Sequence, residues 1–158
     1  MYQGKLKGIL GDIRGFTLGE MLAVVSIITI VTAIGVPSFL AFQPGFRLNG
    51  GAREILSKLM WARSEAVEKN STYVVTFPDN HSLQIFNDTN LNGSWDTGEW
   101  TQTIDIQTEY SDVTFSASGS NPTFNGRGTA SGSTTITITN SSGTKTVTVS
   151  PTGNVKIS

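Results

Sequence analysis

With 158 residues, no cysteine and a formal charge of −1, the chain has the length for one modest core. That composition excludes a disulfide framework, a thiolate nucleophile and a thiolate metal site, and it lacks the broad basic field on which non-specific nucleic-acid binding depends. A single histidine, with no phosphate-cradling loop, no Gly-x-Ser-x-Gly elbow and no dinucleotide fingerprint, leaves nothing for nucleophilic or phosphate chemistry, so the chain does not read as an enzyme.

Residues 1–15 carry Lys5, Lys7 and Arg14 with little hydrophobic periodicity and read as a cytoplasmic leader. Cations just before an apolar run hold that end inside and send the following chain across the membrane. No charge occurs from Met21 to Phe46. A helix over 16–42 would be roughly 40 Å long at about 1.5 Å per residue, enough to cross a bilayer. Two plainer readings are a cleaved secretory signal, with Val31-Thr32-Ala33 as the cleavage site, and a simple anchor; the apolar run exceeds the usual core of a signal. Glu20 is the one carboxylate at the edge of this segment, where a charge is costly unless paired or functional.

Pro37 removes a helical hydrogen bond and is expected to bend the helix, and Gln43-Pro44-Gly45 and Gly50-Gly51 to loosen it. Over 43–70, Leu48, Ala52, Ile55, Leu56, Leu59, Ala62, Ala66 and Val67 recur at three- and four-residue steps and predict one apolar face. Glu54 with Lys58 and Glu65 with Lys69 fall at i, i+4 spacing and read as the solvated side. From 71 onward the chain is rich in Thr, Ser, Gly and Asn. Strands are expected at 72–77, 82–86, 101–106, 112–117, 133–139, 145–149 and 155–157, with period-two alternation that buries one side of each. His81 falls in the first hairpin turn and reads as polar filler. The fold class is α+β: a long N-terminal helix, half apolar and half amphipathic, packed on a C-terminal antiparallel β domain.

Residues 88–99 fit the calcium-loop pattern D-x-[DN]-x-[DN]-G-x5-E throughout. Asp88, Asn90 and Asn92 would offer side-chain oxygens, Ser94 its carbonyl, Asp96 a direct or water-borne contact and Glu99 a closing bidentate carboxylate. Hard oxygen donors suit Ca²⁺ and not zinc. The flanks read as strands, so this is an EF-like loop in a β context, and any metal would be structural. A metal-free hairpin loop would use the same residues.

The junction Gly15-Phe16-Thr17-Leu18-x-Glu20-Met21, with its apolar run and Pro37, resembles the processing signal of type IV prepilins and type II secretion pseudopilins. The resemblance implies cleavage by a prepilin peptidase after Gly15 and methylation of the new amino-terminal Phe16. It further implies that Glu20 pairs with the free amine of a neighbouring subunit during assembly. Gly19 departs from the pattern, which usually has a large apolar residue there. Leu59, Ala62-Arg63-Ser64-Glu65-Ala66, Asn70, the Gly126-Arg127-Gly128 turn and the closing Gly153-x-x-x-Ile157 resemble the GspH/FimT branch of minor pilins, in which a similar calcium-loop signature recurs.

The expected function is a minor pilin or pseudopilin. Such a subunit waits in the inner membrane as a single-pass protein with its C-terminal domain outside, then joins other pilin subunits in a filament. One alternative is a DNA- or surface-binding minor pilin. Relatives that bind DNA use a C-terminal Gly-Arg-x-Arg, and Gly153-Asn154-Val155-Lys156 here lacks one arginine and replaces the other, which counts against nucleic acid as a partner. The other alternative is a calcium-dependent secreted adhesion domain behind an ordinary signal peptide.

Overall fold

The computed structural model describes residues 15–158, so the leader lies, save Gly15, outside the described residues. One helix, α1, runs from Leu18 to Glu68. The chain divides into two compact units at Ala41/Phe42. In the first unit every residue from Gly15 to Ala41 is exposed, including Ile30 at 61% and Ile34 at 71%. Ser26, Thr29 and Thr32 do not disturb this apolar stretch, because each hydroxyl donates to the carbonyl four residues earlier, at 2.7, 2.7 and 2.8 Å.

In the second unit α1 buries Leu48, Ala52, Ile55, Leu59, Ala62 and Ala66. Leu56 is half-buried, and Val67, expected on this face, is 49% exposed. The helix is unbroken at Gly45, Gly50 and Gly51, where loosening was expected. Gly50 and Gly51 serve instead as a close-packing notch. A Cβ at Gly50 would lie 2.8 Å from Cζ of Tyr110, and one at Gly51 3.1 Å from Cγ1 of Val113. Helix propensity is thereby given up, at about 1 kcal/mol per glycine, for approach of a distant segment.

All strand pairings are antiparallel. The first sheet has the order β3-β2-β1-β5, from β1 (Tyr73–Thr76), β2 (Ser82–Asn87), β3 (Thr101–Asp105) and β5 (Thr123–Phe124). The second has the order β4-β6-β7-β8, from β4 (Thr114–Gly119), β6 (Thr134–Asn140), β7 (Gly143–Val149) and β8 (Val155–Ile157). A 3-10 turn at Ile106–Thr108 follows β3, with the Asp105 carboxylate accepting the Gln107 N–H at 2.8 Å as its cap. The alternation of β6 and β7 sends Ile136, Ile138, Val147 and Val149 to a single core with the α1 stripe and with Val75, Leu83, Ile85 and Phe124 of the first sheet. That first sheet departs from the one-sided expectation: Val74 and Phe86, paired across β1 and β2, are buried on its other face.

Where α1 enters the second unit, a polar clasp holds it. Asn140 Nδ2 donates to the Pro44 carbonyl at 2.7 Å and to Asp112 at 3.2 Å, while Arg47 pairs with Asp112 at 3.4 Å. Near its other end Arg63 Nε donates to the Gly128 carbonyl at 2.8 Å, which ties the Gly-Arg-Gly turn to the helix.

Candidate functional site

Two places hold the residues singled out from the sequence. At the first, Gly15, Phe16 and Thr17 lie outside any helix or strand, and Phe16 is 76% exposed. Glu20, exposed in the first turn of α1, is not idle. One of its carboxylate oxygens accepts the Thr17 N–H at 2.8 Å and the Thr17 hydroxyl at 3.0 Å, and its own N–H donates to Thr17 Oγ1 at 3.2 Å. This reciprocal arrangement is a capping box, in which Thr17 and Glu20 satisfy two donors that a helix start would otherwise leave orphaned. The T-x-x-E spacing that announces such a box is present in the sequence but was read only for assembly.

The second place is the loop over 88–99. Asp88 is buried, and its carboxylate accepts the N–H groups of Asn92 at 3.1 Å and Gly93 at 2.9 Å. Leu91 at φ +61° and Gly93 at φ +76° supply the two left-handed positions that fold the loop back on Asp88. The side-chain oxygens of Asn90 and Asn92 accept from the N–H groups of Asn92 and Ser94, at 3.1 and 2.7 Å. Their amide nitrogens both donate to Asp96 Oδ2, at 2.7 and 2.6 Å, and these two bonds hold the Asp96 carboxyl below its ordinary range. Glu99 closes the loop by accepting from the Thr89 N–H at 2.8 Å and from the Asp96 N–H at 3.1 Å.

All six expected ligands therefore share one loop, but the side-chain oxygens of Asp88, Asn90, Asn92, Asp96 and Glu99 face donors of the loop itself. Among the described residues no three His, Cys, Asp or Glu side chains converge closely enough to hold a metal. The oxygen-rich set still suits a hard cation. Asn90 and Asn92 would have to turn their oxygens inward in place of their NH₂ groups, a rotation about the terminal side-chain bond.

Trp100, next to Glu99, joins a feature the sequence reading missed. Its ring lies 5.5 Å from Trp61 and 6.2 Å from Tyr73, and Lys69 Nζ sits 6.0 Å from its centroid. Lys69 also pairs with Glu65 at 2.6 Å, so this i, i+4 pair borders an aromatic cluster and is not simply solvated. That pairing first, and a hydrogen bond to Tyr73 second, raise the Lys69 pKa. His81 behaves as expected of a turn residue, its Nδ1 2.9 Å from Asn80 Oδ1.

Solved structures share this architecture. The type IV minor pilin FimU of Pseudomonas aeruginosa aligns with a TM-score of 0.55 at 20% identity, over 70% of this chain and 91% of that one. The minor pseudopilin EpsH from the type II secretion system of Vibrio cholerae aligns with a TM-score of 0.55 at 15% identity, over 71% of this chain and 96% of that one. Comparison with curated proteins returns no match. The family model described as "Type II transport protein GspH" matches residues 51–153, which takes in α1 from Gly51 onward, β1 to β7 and the 88–99 loop, and the chain belongs to that family.

Proposed function

We propose that this chain is a minor pilin or pseudopilin, a non-enzymatic structural subunit that is held in the inner membrane and then assembled with other pilin subunits through the first half of α1. The observation that carries the reading is the contrast within α1. Residues 18–41 form a helix apolar and long enough to cross a membrane with none of it buried, whereas the same helix supplies the core of a GspH-family β domain further on. Exposed apolar surface on that scale calls for lipid or for neighbouring helices. A head-to-tail repeat that does not close builds a filament.

In this reading a prepilin peptidase cuts after Gly15, Phe16 becomes the methylated amino terminus, and Glu20 meets the amine of a neighbour. The C-terminal domain stands outside the inner membrane. The test is the amino terminus of the mature protein recovered from cells with the peptidase. N-methylated Phe16 is expected; an intact Met1 removes the processing step, and a start at Ile34 identifies an ordinary signal peptide and overturns the assignment.

The Asp88–Glu99 loop is further proposed to take a structural Ca²⁺ through Asp88, Asn90, Asn92, the Ser94 carbonyl, Asp96 and Glu99. Its support is the complete residue pattern together with the left-handed turn at Gly93. Calcium at a hundredfold excess over its dissociation constant would stabilise the fold by about 2.7 kcal/mol. Melting curves with calcium and with chelator should differ in the wild type and coincide in Asp88→Ala. Identical wild-type curves reject the site.

A further inference from the structure

One of the two edges of the second sheet carries a feature that neither assembly through α1 nor calcium uses. β4 is that edge, since it pairs only with β6. The N–H of Phe115 points away from β6 and donates to the Asn80 carbonyl at 2.7 Å. Main-chain groups alternate sides along a strand, so Ala117, two residues on, turns its N–H and C=O toward the same open side. Among the described residues no main-chain partner outside the sheet meets them. Residues 116–119 are exposed and read Ser-Ala-Ser-Gly. None of the charges, prolines or bulky side chains that commonly guard an edge is present.

This edge borders a cavity of about 330 Å³. Phe77, half-buried, and Phe115, 4% exposed, are its aromatic lining residues, with rings 5.6 Å apart at 74°. Asp79 is its only charged lining residue, with 43% of its side chain exposed. The His81 N–H, donating at 2.9 Å, keeps that carboxyl below its usual range and so anionic at neutral pH.

We propose that the β4 edge and this cavity form a peptide-docking site. An extended segment of a partner protein pairs its main chain with Ala117, sets an apolar side chain against Phe77, and brings a lysine or arginine to Asp79. The choice of occupant follows from the surface. A bare strand edge is completed by another main chain, the half-buried Phe77 ring by an apolar side chain, and an anionic carboxylate by a cation, whereas a polyphosphate would be repelled.

The test uses the full chain in detergent micelles and the capped peptide acetyl-Thr-Val-Lys-Val-Thr-Val-amide. Saturable binding is expected, with slowed hydrogen exchange at the Ala117 amide. Methylating the peptide's main-chain nitrogens should weaken binding about tenfold, the loss expected for one or two hydrogen bonds. Asp79→Asn in the protein should weaken it about threefold and remove its salt dependence, and glutamate in place of the peptide's lysine should weaken it at least as much and reverse that dependence. Because the methylated and charge-reversed peptides act on the unaltered protein, folding of a variant does not enter. No saturable binding, or equal binding of the methylated peptide, overturns the proposal and leaves the filament reading untouched.

Discussion

The two halves of α1 are both rich in apolar residues, yet one buries none of them and the other buries a residue at nearly every turn. The difference lies in arrangement. From Leu22 to Ile34 apolar side chains surround the helix on every side, so no single face could satisfy them against one sheet. From Leu48 to Ala66 they fall on one stripe, and the opposite side carries Arg53, Ser57 and Ser64. Apolar content therefore says that a helix must be covered, and periodicity says whether its own chain does the covering.

The sharpest test exchanges equivalent truncations between the halves. Ile55→Ala, at a fully buried position, should cost about 2–5 kcal/mol and lower the melting temperature of the β domain markedly. Ile30→Ala, 61% exposed, should leave it within about 0.5 kcal/mol. Equal losses, followed by near-ultraviolet circular dichroism in detergent, would show that the halves do not differ as described.

Glycine substitution probes the same contrast with a smaller effect. Gly50→Ala gains helix propensity but drives a methyl into the Tyr110 ring, so a net loss of about 1–3 kcal/mol is expected in chemical denaturation. Gly19→Ala meets nothing nearer than Thr17 Oγ1 at 3.9 Å and should only firm the first turn. Next, Thr17→Ala removes the cap at about 1 kcal/mol, visible as faster hydrogen exchange over residues 18–21 with no change in the β domain.

The smallest effect is a pH dependence confined to the β domain. The folded-state pKa of Asp79 is lowered, by the His81 N–H foremost, so its stabilisation is present above the unfolded value near ~4 and is lost as pH falls through the folded one. Wild type and Asp79→Ala should therefore differ in melting temperature at pH 7 and converge toward pH 2. A constant gap across that range would remove Asp79 as the source.

What could be read in advance followed the range of the interaction. The stripe on α1 and the alternation of β6 and β7 are local patterns, and both were legible. Gly50-Gly51 was misread as a weak point because its partners, Tyr110 and Val113, lie beyond β3 in the chain. The division of the strands between two sheets and the two-residue β5 depend on long-range pairing that no short window contains. At the 88–99 loop the glycine of the calcium-loop pattern, Gly93, falls at a left-handed position, as that pattern requires. The second left-handed residue, Leu91, was not legible, since a leucine there carries no turn signal. Val67 has helical spacing for the core but lies just past the last buried residue of α1, Ala66.

The Thr17–Glu20 box leaves a carboxylate half used. Both Thr17 donors go to Oε2 of Glu20, and a carboxylate carries lone pairs on both of its oxygens. The helix start can therefore keep its cap while Oε1 stays able to accept a further donor.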